Sequence, residues 1–370
     1  MKKIVIASDS FKGSLDAARA ARAIAQGIHI AAPEALTVEV PVADGGEGTL
    51  DALTVKSCRA SVATFNTEGE PIIAEFGFIG DTAVIESAQA VGLGTIPSNR
   101  RRPDNSTTRG VGALMSAALD RGFRKILLTV GGTGCNDGGA GMLEALGVVF
   151  YGKDGQLCGI RARDLCRVTD IDISGIDPRL YDTQITIACD VTNPLTGKNG
   201  ATYVYGAQKG ADAKMLERLE AGMQNYASKL AVISRNASDI PGVGAGGGLP
   251  FPLLSLFDAR ICPGISAVLE AVGFDRILDG AGLVITGEGK IDFQSAFGKA
   301  ISGVAAAAAA HGIPVVALVG QIGAGADEML RHGVSAIYAI ADIASDTDYA
   351  ISHAAELLTR LAAEVCKKYL

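Results

Sequence analysis

The chain has 370 residues, 48% of them hydrophobic, no Trp and a formal net charge of −7. That length exceeds one ordinary core and points to two domains, and the acidic balance argues against the basic face that a nucleic-acid partner requires. No apolar run approaches the roughly 18 residues of a spanning helix, so no membrane association is expected.

The opening "MKKIVIASDSFK" holds only Ile4 to Ala7 between its lysines and the next polar residues, too little for a signal peptide, and reads as the first strand of a cytoplasmic protein. A polar loop and a helix from about Ser14 follow, with Ala21, Ile24 and Ile28 on one face. Leu36 to Val42 reads as a second strand, and Thr49 to Lys56 as a helix after the loop "ADGGEGT". Thr108 to Arg121 should be a helix closed by Gly122, Lys125 to Val130 a strand, and the glycine loop "VGGTGCNDGGAGM" should enter a helix that ends near Gly147. Further strands are expected at Val148 to Tyr151, Gln184 to Cys189 and Thr202 to Tyr205. "IPGVGAGGGLPFP", residues 240 to 252, reads as a hinge, linker or flexible loop. The last third alternates: strand Gly282 to Thr286, helix Ala296 to Ala310, strands Pro314 to Val319 and Ser335 to Ile340, and a final helix around Tyr349 to Tyr369.

Apolar strands alternating with helices predict an α/β protein with parallel sheets covered on both faces and its sites outside the carboxyl ends of strands. Residues 1–60 and 275–370 share a grammar and are expected to form one doubly wound, parallel-sheet domain, with residues 61–274 inserted as a second α/β domain. Seven scattered cysteines without a C-x-x-C pair suggest reduced thiols rather than a disulfide framework or a zinc site.

The loops after these strands carry the chemistry. In "SDSFKGS" Lys12 can hold a phosphate or carboxylate, or be a solvated loop residue before a cap at Ser14. "ADGGEGT" sets Asp44 and Glu47 around Gly45, Gly46 and Gly48, suiting Mg²⁺ or a proton acceptor, or simply a tight turn. Six glycines between Gly131 and Gly141 bare the backbone near Thr133 and Asp137, as an anion cradle does, although Asp137 could equally cap the following helix. Asp190 in "CDVTNPLTGKNGAT" is a candidate base or metal ligand, or a structural Asp. "TGEGKID" brings Glu288, Lys290 and Asp292 together. Arg109 could grip a carboxylate, whereas Arg100 to Arg102 read as a solvated face.

No P-loop and no strict G-x-G-x-x-G after the first strand is present, which counts against Walker-type nucleotide binding and a nicotinamide oxidoreductase. In order, "IASDSFKGS", "PVADGGEGT", "TTRGVG", "VGGTGCNDGGAGM", "CDVTNPLTGKNGAT" and "TGEGKIDFQSAFGK" resemble the type I bacterial glycerate kinases over essentially the whole chain, and "PGVGAGGGLPFP" matches that family's glycine run before Phe-Pro. Ser8 stands where many relatives carry proline. The resemblance implies ATP-dependent phosphorylation of D-glycerate on a flavodoxin-like domain with a second domain inserted in it. It favours the 2-hydroxyl; transfer to the 3-hydroxyl, or a non-catalytic glycerate-binding regulator, are the alternatives. On this reading Asp190 is the hydroxyl base, with Asp44 and Glu47 as rival bases or Mg²⁺-linked groups, and Lys290 is a catalytic residue that holds phosphate or the glycerate carboxylate. Asp44 and Glu47 are the Mg²⁺ candidates. Lys12, Arg109, Gly45, Gly46, Glu47, Gly131, Gly132, Thr133, Asp137 and Glu288 bind phosphate or substrate. Oligomeric state is left open.

Overall fold

The computed structural model describes residues 2–296 and 299–369. Its strands are β1 (Lys3–Ser8), β2 (Leu36–Glu39), β3 (Arg59–Phe65), β4 (Pro71–Ile79), β5 (Thr82–Glu86), β6 (Lys125–Thr129), β7 (Val149–Gly152), β8 (Gly155–Leu157), β9 (Asp170–Asp172), β10 (Gln184–Ala188), β11 (Ala259–Cys262), β12 (Ala281–Gly287), β13 (Lys290–Ile291), β14 (Val315–Val319), β15 (Gln321–Ile322) and β16 (Val334–Ala339). The chain divides into two compact units: residues up to Asp44 with Asp51–Leu53 and everything from Pro263, and Gly45–Leu50 with Thr54–Cys262.

The first unit is built on the sheet β16-β14-β12-β1-β2, parallel throughout. Counted along the chain, that is the order 2-1-3-4-5 of a flavodoxin-like doubly wound sheet, with its switch point between β1 and β12. Both faces are covered, which is why strands such as VVALV are apolar without alternation. Val5, Ala7, Val284 and Ala317 pack on Ile301, Val304 and Ala308 of helix Ala300–Ala310. Ile4, Ile6, Ile285 and Leu318 face Ile24 and Ile28 of helix Ala17–Ala31 and Leu358 and Leu361 of helix Ala354–Tyr369. These two helices meet closely: a Cβ on Gly27 would lie 2.2 Å from the Thr359 carbonyl oxygen, so a side chain there would drive them apart.

The second unit carries the sheet β11-β10-β6-β5-β4-β3, in which β3, β4 and β5 are antiparallel and β5, β6, β10 and β11 run parallel. A small antiparallel sheet, β8-β7-β9, lies beside it in sequence. One core joins Phe76, Phe150, Tyr226 and Phe251, with Tyr226 edge-on to Phe251 at 5.6 Å between centroids.

Four expectations need correction. Thr202 to Tyr205 is not a strand but part of helix Ala201–Tyr205, closed by Val204 N–H to Gly200 O and Gly206 N–H to Thr202 O. The β-branched and aromatic run favours extended backbone, and burial of Ala201 and Thr202 on one helical face overrides it. The first helix starts at Ala17, capped by Asp16, which accepts from Arg19 N–H, rather than by Ser14. The C-terminal helix is two, Thr347–Ser352 and Ala354–Tyr369, because Asp346 caps the first while the Ser352 hydroxyl bonds back to Asp348 O and ends it. Residues 240–252 are neither linker nor free loop: Val243, Ala245, Leu249 and Phe251 are buried in the core of the second unit. The start expected for the helix at Ala296 to Ala310 falls partly on residues outside those described; the described helix is Ala300–Ala310. Among the described residues no helix is long and apolar enough to cross a membrane.

Candidate active site

In the first unit the carboxyl ends of β1 and β12 lie side by side at the switch point, where a doubly wound sheet opens a crevice. Ser8 pairs with Gly287, and Asp9 N–H donates to Gly287 O at 2.9 Å, so Asp9 and Glu288 leave adjacent strands together. Glycine makes the junction compact: a Cβ on Gly287 would meet Leu318 O at 2.2 Å, and one on Gly320 would meet Gly289 O at 2.2 Å. Asp9, half-buried, has its carboxyl raised to about 6 by burial, with the Asp44 charge adding to the rise. Burial also lifts Glu288 to about 7, while the Ser295 hydroxyl, donating at 2.5 Å, and Lys299 pull it back. Lys290 is half-exposed and pairs with Asp292 at 3.6 Å; Lys12 is exposed on the β1 loop. This unit therefore gathers Lys12, Asp44, Glu288 and Lys290 among the residues singled out in the sequence.

In the second unit, β5, β6 and β10 end in register, Glu86 opposite Thr129 and Thr129 opposite Ala188, which puts Glu86, Gly131 and Asp190 along one edge of the sheet. Glu86 is buried and accepts from Gly48 N–H at 3.1 Å and Leu50 N–H at 2.9 Å. It thereby pins the acidic glycine loop and the start of helix Thr49–Leu53, an anchor that the sequence reading missed. Glu47 points outward beside the second glycine loop: a Cβ on Gly132 would stand 3.5 Å from Glu47 Oε2, and one on Gly131 would stand 3.4 Å from the Gly46 Cα. Gly45, Gly46, Glu47, Gly131 and Gly132 thus belong to one patch. Thr133 is buried behind it, bridged to Gly92.

Asp137 has a different place. Fully buried, it accepts from Thr108 N–H at 2.7 Å, the Thr108 hydroxyl at 2.9 Å, Gly139 N–H at 3.2 Å and Gly141 N–H at 3.1 Å. Burial pushes its carboxyl up and these four bonds oppose that. The N-cap residue of helix Ala140–Ala145 is Gly139, and Asp137, two residues before it, supplies the carboxylate that accepts from the N–H groups at that start. Gly138 N–H donates to Gly247 O at 3.0 Å, and a Cβ on Gly247 would meet Cys135 O at 2.0 Å. The glycine run of residues 244 to 248 exists to let two backbones touch.

Behind this loop lies Lys209, 3% exposed, whose ammonium donates to Cys135 O at 2.5 Å. Burial draws it down to about 8, against the neighbouring Asp137 charge. Nothing in "AQKGAD" announces a buried lysine. Asp190 is exposed just past β10. The loop after it is held by Asn193, which donates to Asn199 O and accepts from the Tyr205 hydroxyl at 2.6 Å, and by Gly197 N–H donating to Glu220 at 2.6 Å. The Arg109 guanidinium carbon lies over the Phe65 ring, 4.4 Å from its centroid, within cation–π range. Arg100 pairs with Glu68 and Arg102 with Asp104, in keeping with a surface face.

The model of the glycerate kinase family matches residues 4–370. The chain is 43% identical to a glycerate kinase of Bacillus subtilis over 98% of its own length and 96% of that protein, and 39% identical to a glycerate 2-kinase of Escherichia coli over 98% and 97%. A crystal structure from Salmonella typhimurium LT2, of a protein assigned as glycerate kinase 2, superposes with a TM-score of 0.88 at 39% identity, covering 99% of this chain and 98% of that one. The chain belongs to the glycerate kinase family of enzymes.

Proposed function

We propose that this glycerate kinase moves the γ-phosphoryl group of ATP to the 2-hydroxyl of D-glycerate, giving 2-phosphoglycerate and ADP. The observation that carries the choice of hydroxyl is the whole-length similarity to a protein named glycerate 2-kinase. Phosphoryl transfer asks for positioning and charge neutralisation more than for covalent chemistry, and the two edges described above offer both. In the first unit, Lys12 stands on the loop after β1 and Lys290 opens the short strand β13 just past β12, both suited to hold phosphate or the glycerate carboxylate as point charges. In the second, the rim of Gly131 and Gly132 leaves backbone uncovered for close approach, and the guanidinium of Arg109, over the Phe65 ring, is suited to a bidentate grip. The hydroxyl proton has three candidate acceptors, Asp190, Asp44 and Glu288.

Mg²⁺ fits the donors available. No group of three or more His, Cys, Asp or Glu poised for a metal exists among the described residues, but Mg²⁺ held with nucleotide needs only one or two carboxylates besides phosphate and water. Asp44, whose charge already lifts the carboxyl of Asp9, or the outward Glu47 would hold it. When bound, the ion neutralises charge on the phosphate oxygens. The use of ATP supports the reading of a cytoplasmic enzyme.

The test is incubation with ATP, Mg²⁺ and D-glycerate, with the product identified by ³¹P NMR. 2-Phosphoglycerate is expected. 3-Phosphoglycerate would overturn the hydroxyl assignment alone, and no phosphoglycerate would overturn the ATP-dependent reaction.

A further inference from the structure

We propose that Glu288 is the catalytic base of the reaction, the group that takes the hydroxyl proton of glycerate. The inference rests on the kinase reading above and goes beyond it by choosing among the acids. Glu288 is the first residue past β12, at the switch point of the parallel sheet, and is 8% exposed. Gly287 and Gly289 flank it, both in contacts that a Cβ would crowd: Gly287 against Leu318 O, and Gly289 3.1 Å from the Lys12 amide nitrogen. The carboxylate is thus mounted on backbone with little freedom to shift, as a proton acceptor requires.

Its hydrogen bonding is lopsided. Oε1 accepts from the Ser295 hydroxyl at 2.5 Å, and no bond from a described residue reaches Oε2. Ser295 is itself fully buried, so it fixes the carboxylate's orientation and leaves the second oxygen to a ligand. Two residues earlier, inside β12, the buried Thr286 hydroxyl has no partner among the described residues, a second polar group without a protein mate. The charged groups around Glu288 are Asp9 and Lys12 on the β1 loop, Asp44 beyond Asp9, and Lys290, Asp292 and Lys299 on the segment that follows it. Burial and the Asp9 and Asp292 charges raise its carboxyl to about 7, near the range where an acceptor exchanges protons at neutral pH. Asp190 is exposed and mounted on a loop.

In the step, the glycerate hydroxyl oxygen forms a bond to the γ-phosphorus of ATP as its proton passes to Glu288 Oε2. The bond between that phosphorus and the β,γ-bridging oxygen breaks, and ADP departs with the electron pair. Glu288 then returns the proton to solvent.

The experiment compares wild type, Glu288→Gln and Asp190→Asn in the full chain, following kcat against pH and, on protein labelled with ¹³C at the glutamate carboxyl, the titration of the Glu288 resonance assigned by its loss in the variant. Glu288→Gln should lower kcat at least 100-fold while leaving KM for glycerate within a few-fold, and should remove a wild-type limb near pH 7. The carboxyl resonance should titrate near pH 7. Turnover in Glu288→Gln within tenfold of wild type overturns the proposal. Should that variant not fold, a wild-type titration midpoint below about pH 5.5, near the ordinary glutamate value, overturns it instead. Absence of phosphoglycerate from the wild type removes the kinase reading and this inference with it, an outcome distinct from an active wild type with an active variant.

Discussion

Two regions of the molecule bury carboxylates, and they bury them differently. In the second unit Glu86 and Asp137 are met by backbone N–H groups, two for Glu86 and, for Asp137, two alongside those of Thr108 and its hydroxyl. Such carboxylates are engaged with backbone and tie loops to helix starts. In the first unit Glu288 and Asp9 are also withdrawn from water but receive few donors, Ser295 for one and Ser10 N–H for the other. Burial raises the carboxyls of Asp9, Glu288 and Asp137 alike, so what separates the two regions is the number of donors each carboxylate receives. Burial of an acid is therefore uninformative until its donors are counted.

The contrast is breakable by substitution. The largest structural effect should come from Asp137→Ala, which strands four donors and leaves buried Lys209 without its nearby opposite charge. A loss of about 3 to 5 kcal/mol is expected, read as a shift of the urea midpoint; a loss under about 1 kcal/mol would mean that Asp137 is no anchor. Next is Glu288→Gln, for which the sign reverses. The folded carboxyl at about 7 lies above its unfolded value near 4.3, so the native state keeps a proton that the unfolded chain releases. Wild-type stability contributed by this group is present at low pH and declines as pH rises from about 4.3 to about 7. The Gln variant lacks that decline and should gain on wild type by up to about 3 kcal/mol at pH 8. Unfolding curves at pH 5 and pH 8 decide it, and equal differences at both would refute the uncompensated burial. Smallest is Arg102→Ala, which removes an exposed pair with Asp104 and should move stability by no more than about 0.5 kcal/mol.

Much of this was legible in the residues. Unbroken apolar strands, each followed by a polar glycine loop, announced a parallel sheet and pointed to the carboxyl ends where Lys12, Asp44, Asp190 and Glu288 stand. Partnership over long sequence distance was not legible. Glu86 drew no reading in the sequence, and only the fold shows it holding Gly48 and Leu50, 38 and 36 residues away. Lys209 reads as a surface lysine because its acceptor, Cys135 O, is 74 residues earlier. Residues 240 to 252 misled for a related reason: glycine signals freedom locally, whereas here it permits contact with Cys135 and Gly138. Thr202 to Tyr205 misled because side-chain propensity was weighed without the core it joins.

The most direct test sets wild type beside Glu288→Gln at pH 8 with ATP, Mg²⁺ and D-glycerate, reading the product by ³¹P NMR and the fold by melting temperature. The account predicts 2-phosphoglycerate from the wild type and at least 100-fold slower turnover from a variant that melts no lower. No phosphoglycerate from the wild type, or a variant that turns over within tenfold of it, would contradict it.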